Sequence, residues 1–221
     1  MNIATVSAPS GGTITLDLDD AAALAQYRAQ VDAAKPKETG LRLDLGCGTS
    51  KRKPDVVNGQ ECPWTGVDRI SFPGVDVVCE LGKDPWPWKD GSVEELHASH
   101  FVEHLKPAER IHFANEAWRV LKPGGRATII TPNWASCRAY GDLTHEWPPV
   151  SEFWFPYLDK EWRKVNAPHN DGYTCDFTHT YGYGLGPTMV GRSQEYISFA
   201  LQHYKEAAAD LSATLTKVVR P

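Results

Sequence analysis

The sequence has no CxxC pair, no apolar run long enough to span a bilayer, no excess of positive charge and no internal repeat. Its five cysteines, Cys47, Cys62, Cys79, Cys137 and Cys175, are odd in number and scattered. That excludes a compact zinc knuckle and argues against a disulfide frame, so free thiols in a reducing compartment are expected. The opening MNIATVSAPSGGTITLD lacks the basic segment and apolar core of a secretory leader, and a cytoplasmic location is the expectation. With 23 Lys and Arg against 28 Asp and Glu, the formal charge of −5 offers no global field for phosphate backbones or anionic lipid. Nucleic acid and membrane are therefore disfavoured as partners.

What is present suits an α/β domain. The 221 residues suffice for one such domain with a sizeable core. Short apolar runs at 41–45, 65–70, 75–81, 93–99 and 126–133 read as strands, and near-continuous apolar strands predict a parallel sheet covered on both faces. Between the fourth and fifth runs, Ile111, Phe113, Ala114, Ala117, Trp118 and Leu121 recur at helical spacing, and KPGG at 122–125 turns the chain. Residues 1–16 read as a loose arm, with a helix after Asp19 or Asp20 ending before Pro36. Residues 134–190 are crowded with Trp, Tyr, Pro, Gly and His, and read as an irregular lid on the acceptor side of a pocket. From about Ser193 to Val218, Ile197, Ala200, Leu201, Tyr204, Ala208, Leu211, Leu215 and Val218 trace one face of a predicted C-terminal helix. The whole is expected to be one Rossmann-like, doubly wound domain spanning 1–221, with 41–133 as its ligand-binding core.

In such sheets ligands bind at the carboxyl ends of the strands. Asp44 and Gly46-Cys47-Gly48 end the first strand, Asp68 the second with Arg69 beside it, and Cys79-Glu80-Leu81 the third. Ser99-His100 end the fourth, and Thr131-Pro132-Asn133 the fifth. Glycines allow close backbone approach, and an acid about 20 residues on is the usual partner of ribose hydroxyls. The turn itself rules against a dinucleotide. A dinucleotide-binding turn would carry a third glycine at position 51, where Lys51 stands, and Asp44 would repel a pyrophosphate while favouring a cationic amino group or sulfonium. The run Lys51-Arg52-Lys53 pulls the other way, although a solvated basic loop is the better account of it.

Together LDLGCG, GVD at 66–68, DVVCEL, HASHFVEHL with its Glu103-His104 pair, and RVLKPGGRATIITPN resemble a class I S-adenosylmethionine-dependent methyltransferase over residues 41–133. The resemblance implies that Gly46 and Gly48 pass beneath the methionyl part of the cofactor, with Asp44 and Cys47 close to it. It also implies that Asp68 holds the ribose, that Glu80 and Leu81 border the adenine, and that Ser99 and His100 lie near the reactive side. Two departures stand out. The usual helix after the glycine turn is compressed into a polar, proline-containing stretch at 49–63, and the usual antiparallel sixth and seventh strands are not evident, YTCDFTHTYGY at 173–183 supplying at most one. Asp142-Leu143-Thr144-His145 is similar to a DPTH sequence found after the fifth strand in related proteins.

The expected activity is methyl transfer to an O or N nucleophile of a small molecule or saccharide, with His100 or His145 as acceptor-orienting group or base. Glu103 and His104 read as structural, the first as cap or ion-pair residue, the second holding a helix start. His145, His169, Cys175, Asp176 and His179 match no compact metal-ligand pattern, so metal independence is expected. Three rival readings remain: a methyltransferase acting on nucleic acid or protein, a non-catalytic cofactor-binding scaffold, and a nucleotide-dependent oxidoreductase. No NPPY-type motif follows the fourth strand, and Asp44 with Lys51 speaks against the oxidoreductase. A homodimer through the C-terminal segment is compatible with the sequence.

Overall fold

The computed structural model describes residues 3–7, 13–17, 40–57 and 59–220. The chain divides between residues 39 and 40 into two units, each treated by itself. In the first, β1 (Ile3–Ser7) and β2 (Thr13–Asp17) form an antiparallel hairpin, Ile3 opposite Asp17 and Ser7 opposite Thr13. This corrects the loose arm expected there: IATVS and TITLD are rich in β-branched residues, which favour strands. The helix expected after Asp19 or Asp20 lies outside the described residues.

The second unit is built on a seven-stranded sheet. Its strands are β3 (Leu41–Leu45), β6 (Thr65–Asp68), β7 (Val77–Val78), β8 (Val93–Ser99), β9 (Leu121–Pro132), β10 (Phe177–Leu185) and β11 (Ala208–Lys217). The order across the sheet is β10-β11-β9-β8-β3-β6-β7. The five strands from β9 to β7 are parallel, whereas β11 runs antiparallel to β9 and β10 antiparallel to β11. This is the α/β, mostly parallel Rossmann-like sheet that the apolar runs predict. The order reverses between β3 and β8, and the crevice beyond their carboxyl ends is where such a sheet accepts a ligand.

Local chemistry explains the connections. Among the described residues between β3 and β6 there is no helix; β4 (Asp55–Val57) and β5 (Gln60–Cys62) form a hairpin, in the stretch where the polar sequence and Pro54 disfavour one. The helix α1 (Pro107–Val120) begins with proline in its first turn, and the Lys106 N–H donates to the Glu109 carboxylate at 3.0 Å. It buries Arg110, Phe113, Ala114, Ala117 and Val120 on one stripe. Trp86 of the preceding loop packs edge-on against Phe113 and donates its indole N–H to the Leu81 carbonyl, as a packing residue should. KPGG becomes a break in the β8–β9 register: Leu121 pairs with Val93 and Arg126 with Glu95, leaving 122–125 outside the ladder.

The long C-terminal helix is not formed. Instead α4 (Gln194–His203), capped by the Ser193 hydroxyl, is followed by β11. The earlier helices of the irregular segment are α2 (Arg138–Gly141) and α3 (Lys160–Asn166). Leu211 and Leu215 are four residues apart and satisfy a helical period. However, Leu211, Ala213, Leu215 and Lys217 are all buried, with Ser212, Thr214 and Thr216 between them less so, and that is a period of two. The irregular segment also shrinks, because β10 is a sheet strand. Val150, Phe155 and Leu158 of the remainder join the main core with Leu43, Leu45, Leu96, Ile129 and Phe113. Residues 150–158 are thus anchored on the core through Val150, Phe155 and Leu158, while Phe153 stays exposed.

Candidate active site

At the end of β3 the chain turns through Gly46 and Gly48, both with positive φ, 67° and 52°. A β-carbon on Gly46 would stand 2.3 Å from the Phe101 ring, whereas one on Gly48 would meet no heavy atom within 4 Å. The first glycine is required by contact and conformation, the second by conformation alone, and the surface above it is open. The N–H groups of Gly46 and Cys47 both donate to the Val67 carbonyl, which ties the turn to the end of β6.

Asp68 completes that connection. Its two carboxylate oxygens accept the N–H of Gly48 at 2.9 Å and of Ile70 at 3.0 Å, one each. Each oxygen keeps a lone pair, which is the capacity a ribose diol needs. Gly46, Asp68, Arg69, Glu80, Leu81 and His100, six residues read from the sequence as cofactor contacts, line one cleft of about 560 Å³. Phe101, Lys106 and Glu146 also line it and escaped the sequence reading, while His104, read as structural, and Thr144 of the DPTH-like stretch line it too. Only the position of Phe101, directly after a strand-end histidine, could have drawn attention to it.

The other predicted cofactor residues lie elsewhere. Asp44 is buried beneath the turn, its Oδ1 2.9 Å from His97 Nδ1 and its Oδ2 accepting the Arg52 N–H at 2.7 Å. Asp44 and His97 are register partners on neighbouring parallel strands, so their side chains meet on the same face. Cys47 is buried too, and that burial, with the charges of Asp44 and Asp68, pushes its thiol up to about 11. Ser99 closes β8 but is not among the residues lining the cleft. The basic run is also engaged away from it: Lys51 pairs with Asp76 at 2.9 Å, holding that carboxyl below its usual range, and Arg52 lies over the Trp64 ring at 5.0 Å. The phosphate reading of Lys51 and Arg52 loses its donors.

A second, smaller cavity of about 340 Å³ adjoins the first and is lined by His100, Glu103, His104, Arg138, Asp142 and His145 among others. His100 and His104 border both. His100 adopts positive φ, 53°, unusual for a residue with a β-carbon, and its N–H donates to the Ile130 carbonyl at 2.8 Å. The structure therefore brings the two candidate catalytic histidines, His100 and His145, to one cavity. His169, Cys175, Asp176 and His179 are not in it; Asp176 binds Arg220 at 2.7 Å and Cys175 is fully buried.

Arg110 fixes the wall between helix and loop. It is buried, and its guanidinium donates to the carbonyls of Val102, Glu103, Glu146 and Pro148, clamping 146–148 against 102–103. Burial lowers its pKa from the ordinary value, with Glu103 opposing, and the guanidinium remains charged.

Residues 43–129 match a family model described as a methyltransferase domain. No curated protein matches the chain. Among solved structures, a SAM-dependent methyltransferase from Archaeoglobus fulgidus is similar at 17% identity, with 88% of this chain and 93% of that chain covered and a TM-score of 0.56. A SAM-dependent methyltransferase from Methanosarcina mazei, at 14% identity, covers 86% and 98% with a TM-score of 0.49. Another from Thermotoga maritima, at 17% identity, covers 85% of each chain with the same score. The fold is that of the Archaeoglobus protein. The matched stretch opens at the glycine turn and runs into β9, and over it the chain is similar to a methyltransferase domain.

Proposed function

We propose that this protein methylates an oxygen or nitrogen nucleophile of a small polar molecule, with a saccharide-like acceptor the best fit. The observation that carries this is the pair of adjoining cavities sharing His100 and His104. The larger has the glycine turn and Asp68; the smaller, about 340 Å³, is lined mainly by charged and imidazole groups. A pocket of that size suits a small ligand, and its polar lining suits hydroxyl or amino groups.

S-adenosylmethionine held in the larger cleft would supply the methyl carbon to the acceptor's lone pair, the carbon–sulfur electron pair staying on sulfur. The residues' part is placement. In this reading Gly46 lets the methionyl portion approach the backbone, Asp68 holds the ribose hydroxyls, and Glu80 with Leu81 borders the adenine. His100 faces both cavities and accepts the acceptor's proton. Residues 134–146 supply the acceptor side, the part of the expected lid that reaches the cavity. A cytoplasmic location accords with the five free cysteines. Among the described residues no helix is long and apolar enough to cross a membrane.

The test is calorimetry with S-adenosylhomocysteine, followed by a panel of hydroxyl- and amine-bearing small molecules scored by S-adenosylhomocysteine release. Binding and turnover on a small acceptor are expected. Turnover confined to RNA or protein would overturn the acceptor class, and binding without turnover on any acceptor class would point to a scaffold.

A further inference from the structure

Glu103 is a buried carboxylate that the fold leaves without a partner. It is 4% exposed, and neither carboxylate oxygen has a hydrogen-bond partner. His100 Nδ1 lies 3.3 Å from its Oε1 but outside hydrogen-bond geometry. The Arg110 guanidinium lies near enough for its charge to act on Glu103, but four of its five N–H bonds go to backbone carbonyls and none to the carboxylate. A buried carboxylate left in this state is costly, and natural structures pair such a group or place it on a metal.

Two histidines stand in reach of it, both held in one tautomer. The Thr144 hydroxyl donates to Asp142 Oδ1 at 2.7 Å, so its oxygen is left to accept from His104 Nδ1 at 3.0 Å; the Thr144 carbonyl, 3.3 Å away, is a second acceptor for the same N–H. His145 Nδ1 faces the Ala139 carbonyl at 3.2 Å, which can only accept. In both rings these acceptors call for a proton on Nδ1, which leaves Nε2, in His145 4.0 Å from Asp142 Oδ2, as the nitrogen a ligand would meet. An imidazole that donates one N–H to a backbone carbonyl or hydroxyl and offers the other nitrogen is how proteins orient metal ligands. Ligand atoms of Glu103, His104 and His145 lie within 4.8 Å of one another.

We infer that Glu103, His104 and His145 hold a divalent cation of the borderline transition class, such as Zn²⁺, Co²⁺ or Mn²⁺, at the boundary of the two cavities. Two imidazoles and one carboxylate favour that class over the all-oxygen cations. Three protein ligands leave coordination open toward the smaller cavity, where an oxygen of the acceptor binds; this role, unlike the site, rests on the methyl-transfer reading. Metal independence, expected from the spacing of His145 with His169, Cys175, Asp176 and His179, does not consider this set. Its members come from two segments that meet only in the fold.

The test uses untagged full-length protein carrying Cys137→Ser, which removes the one exposed thiol as a competing ligand. After dialysis against a chelator it is titrated with Co²⁺ and followed by visible absorption. A saturable one-to-one spectrum displaced by Zn²⁺ is expected. His145→Ala and Glu103→Gln should each weaken Co²⁺ binding by more than the roughly 10–100-fold that a supporting hydrogen bond is worth. Circular dichroism checks folding, and if Glu103→Gln does not fold, His145→Ala, at the rim, decides. No spectrum in the parent protein, or variants titrating like it, overturns the site. Calorimetry with S-adenosylhomocysteine on the same chelated protein separates the two readings. Binding of that nucleoside without Co²⁺ binding sinks only the metal site, whereas Co²⁺ binding without the nucleoside sinks only the methyl-transfer reading.

Discussion

Asp68 accepts the N–H groups of Gly48 and Ile70 while facing the larger cleft, and Asp44, one strand over, spends both its oxygens on His97 and the Arg52 backbone. Their replacements should separate. Asp68→Ala removes a charged acceptor from the cleft and should weaken S-adenosylhomocysteine binding by about 1–3 kcal/mol, roughly 5–150-fold, in calorimetry. Asp44→Ala leaves the His97 imidazole and an N–H without their buried acceptor, and should lower unfolding stability by about 1–3 kcal/mol in urea titration. If Asp44→Ala matched wild type in stability yet lost the nucleoside, the direct contact implied by the family resemblance would be right and the geometric account wrong. Gly46→Ala should be the most damaging single change at the turn. It forces a side chain against Phe101 at positive φ, so nucleoside binding should fall below detection.

At the scale of elements, the end of β11 and the end of α1 support each other. The Lys217 ammonium donates to the carbonyls of Leu121 at 2.8 Å and Arg119 at 3.3 Å, and lies 4.4 Å from the centre of the Trp118 ring. A cation at the carboxyl end of a helix satisfies carbonyls that the helix leaves unpaired. Burial nevertheless lowers the lysine's pKa, so its position is a compromise between desolvation and these contacts. Lys217→Ala should destabilise the fold by about 1–3 kcal/mol through the orphaned carbonyls and lost packing. Lys217→Met, which keeps the apolar stem, should recover part of that loss. Equal stability of both variants with wild type, measured by denaturant midpoint at unchanged slope, would show that water replaces the ammonium without cost.

For the molecule as a whole, the cysteines offer a test of how tightly the second unit is packed. Four are buried and only Cys137 is exposed. Burial pushes the Cys175 thiol up to about 12 and Cys47 to about 11, and raises Cys79 as well, so these groups are poor nucleophiles at neutral pH. An aromatic disulfide reagent added to native protein near neutral pH should titrate one fast thiol, and the other four only after urea. Fast labelling of Cys47 would mean that the glycine turn opens on that timescale and is not the rigid edge on which the proposed cofactor site depends.

Much of the sheet was legible because its strands carry their own signature. LRLDL, TGVD and VEELHAS are buried on both sides, and a run that must avoid water on two faces is apolar or satisfied wherever it sits. The glycine turn was legible for a similar local reason: only glycine serves both positive φ and a missing β-carbon at Gly46. Other features were decided by neighbours. Residues 208–217 fit either period, and the slot between β9 and β10, where their backbone groups find partners, makes them a strand. Asp44 reads as a ligand contact in a linear motif and becomes a buried support because β8 sets His97 beside it. The Glu103, His104 and His145 cluster spans forty-odd residues and exists only because Arg110 and Thr144 bring the later loop against the 3-10 turn at Val102–His104. The sequence alone thus determined the parallel core and the turn at its edge, since backbone conformation and burial act within a few residues. The tertiary structure decided which polar groups meet, since that depends on contacts the chain order does not contain.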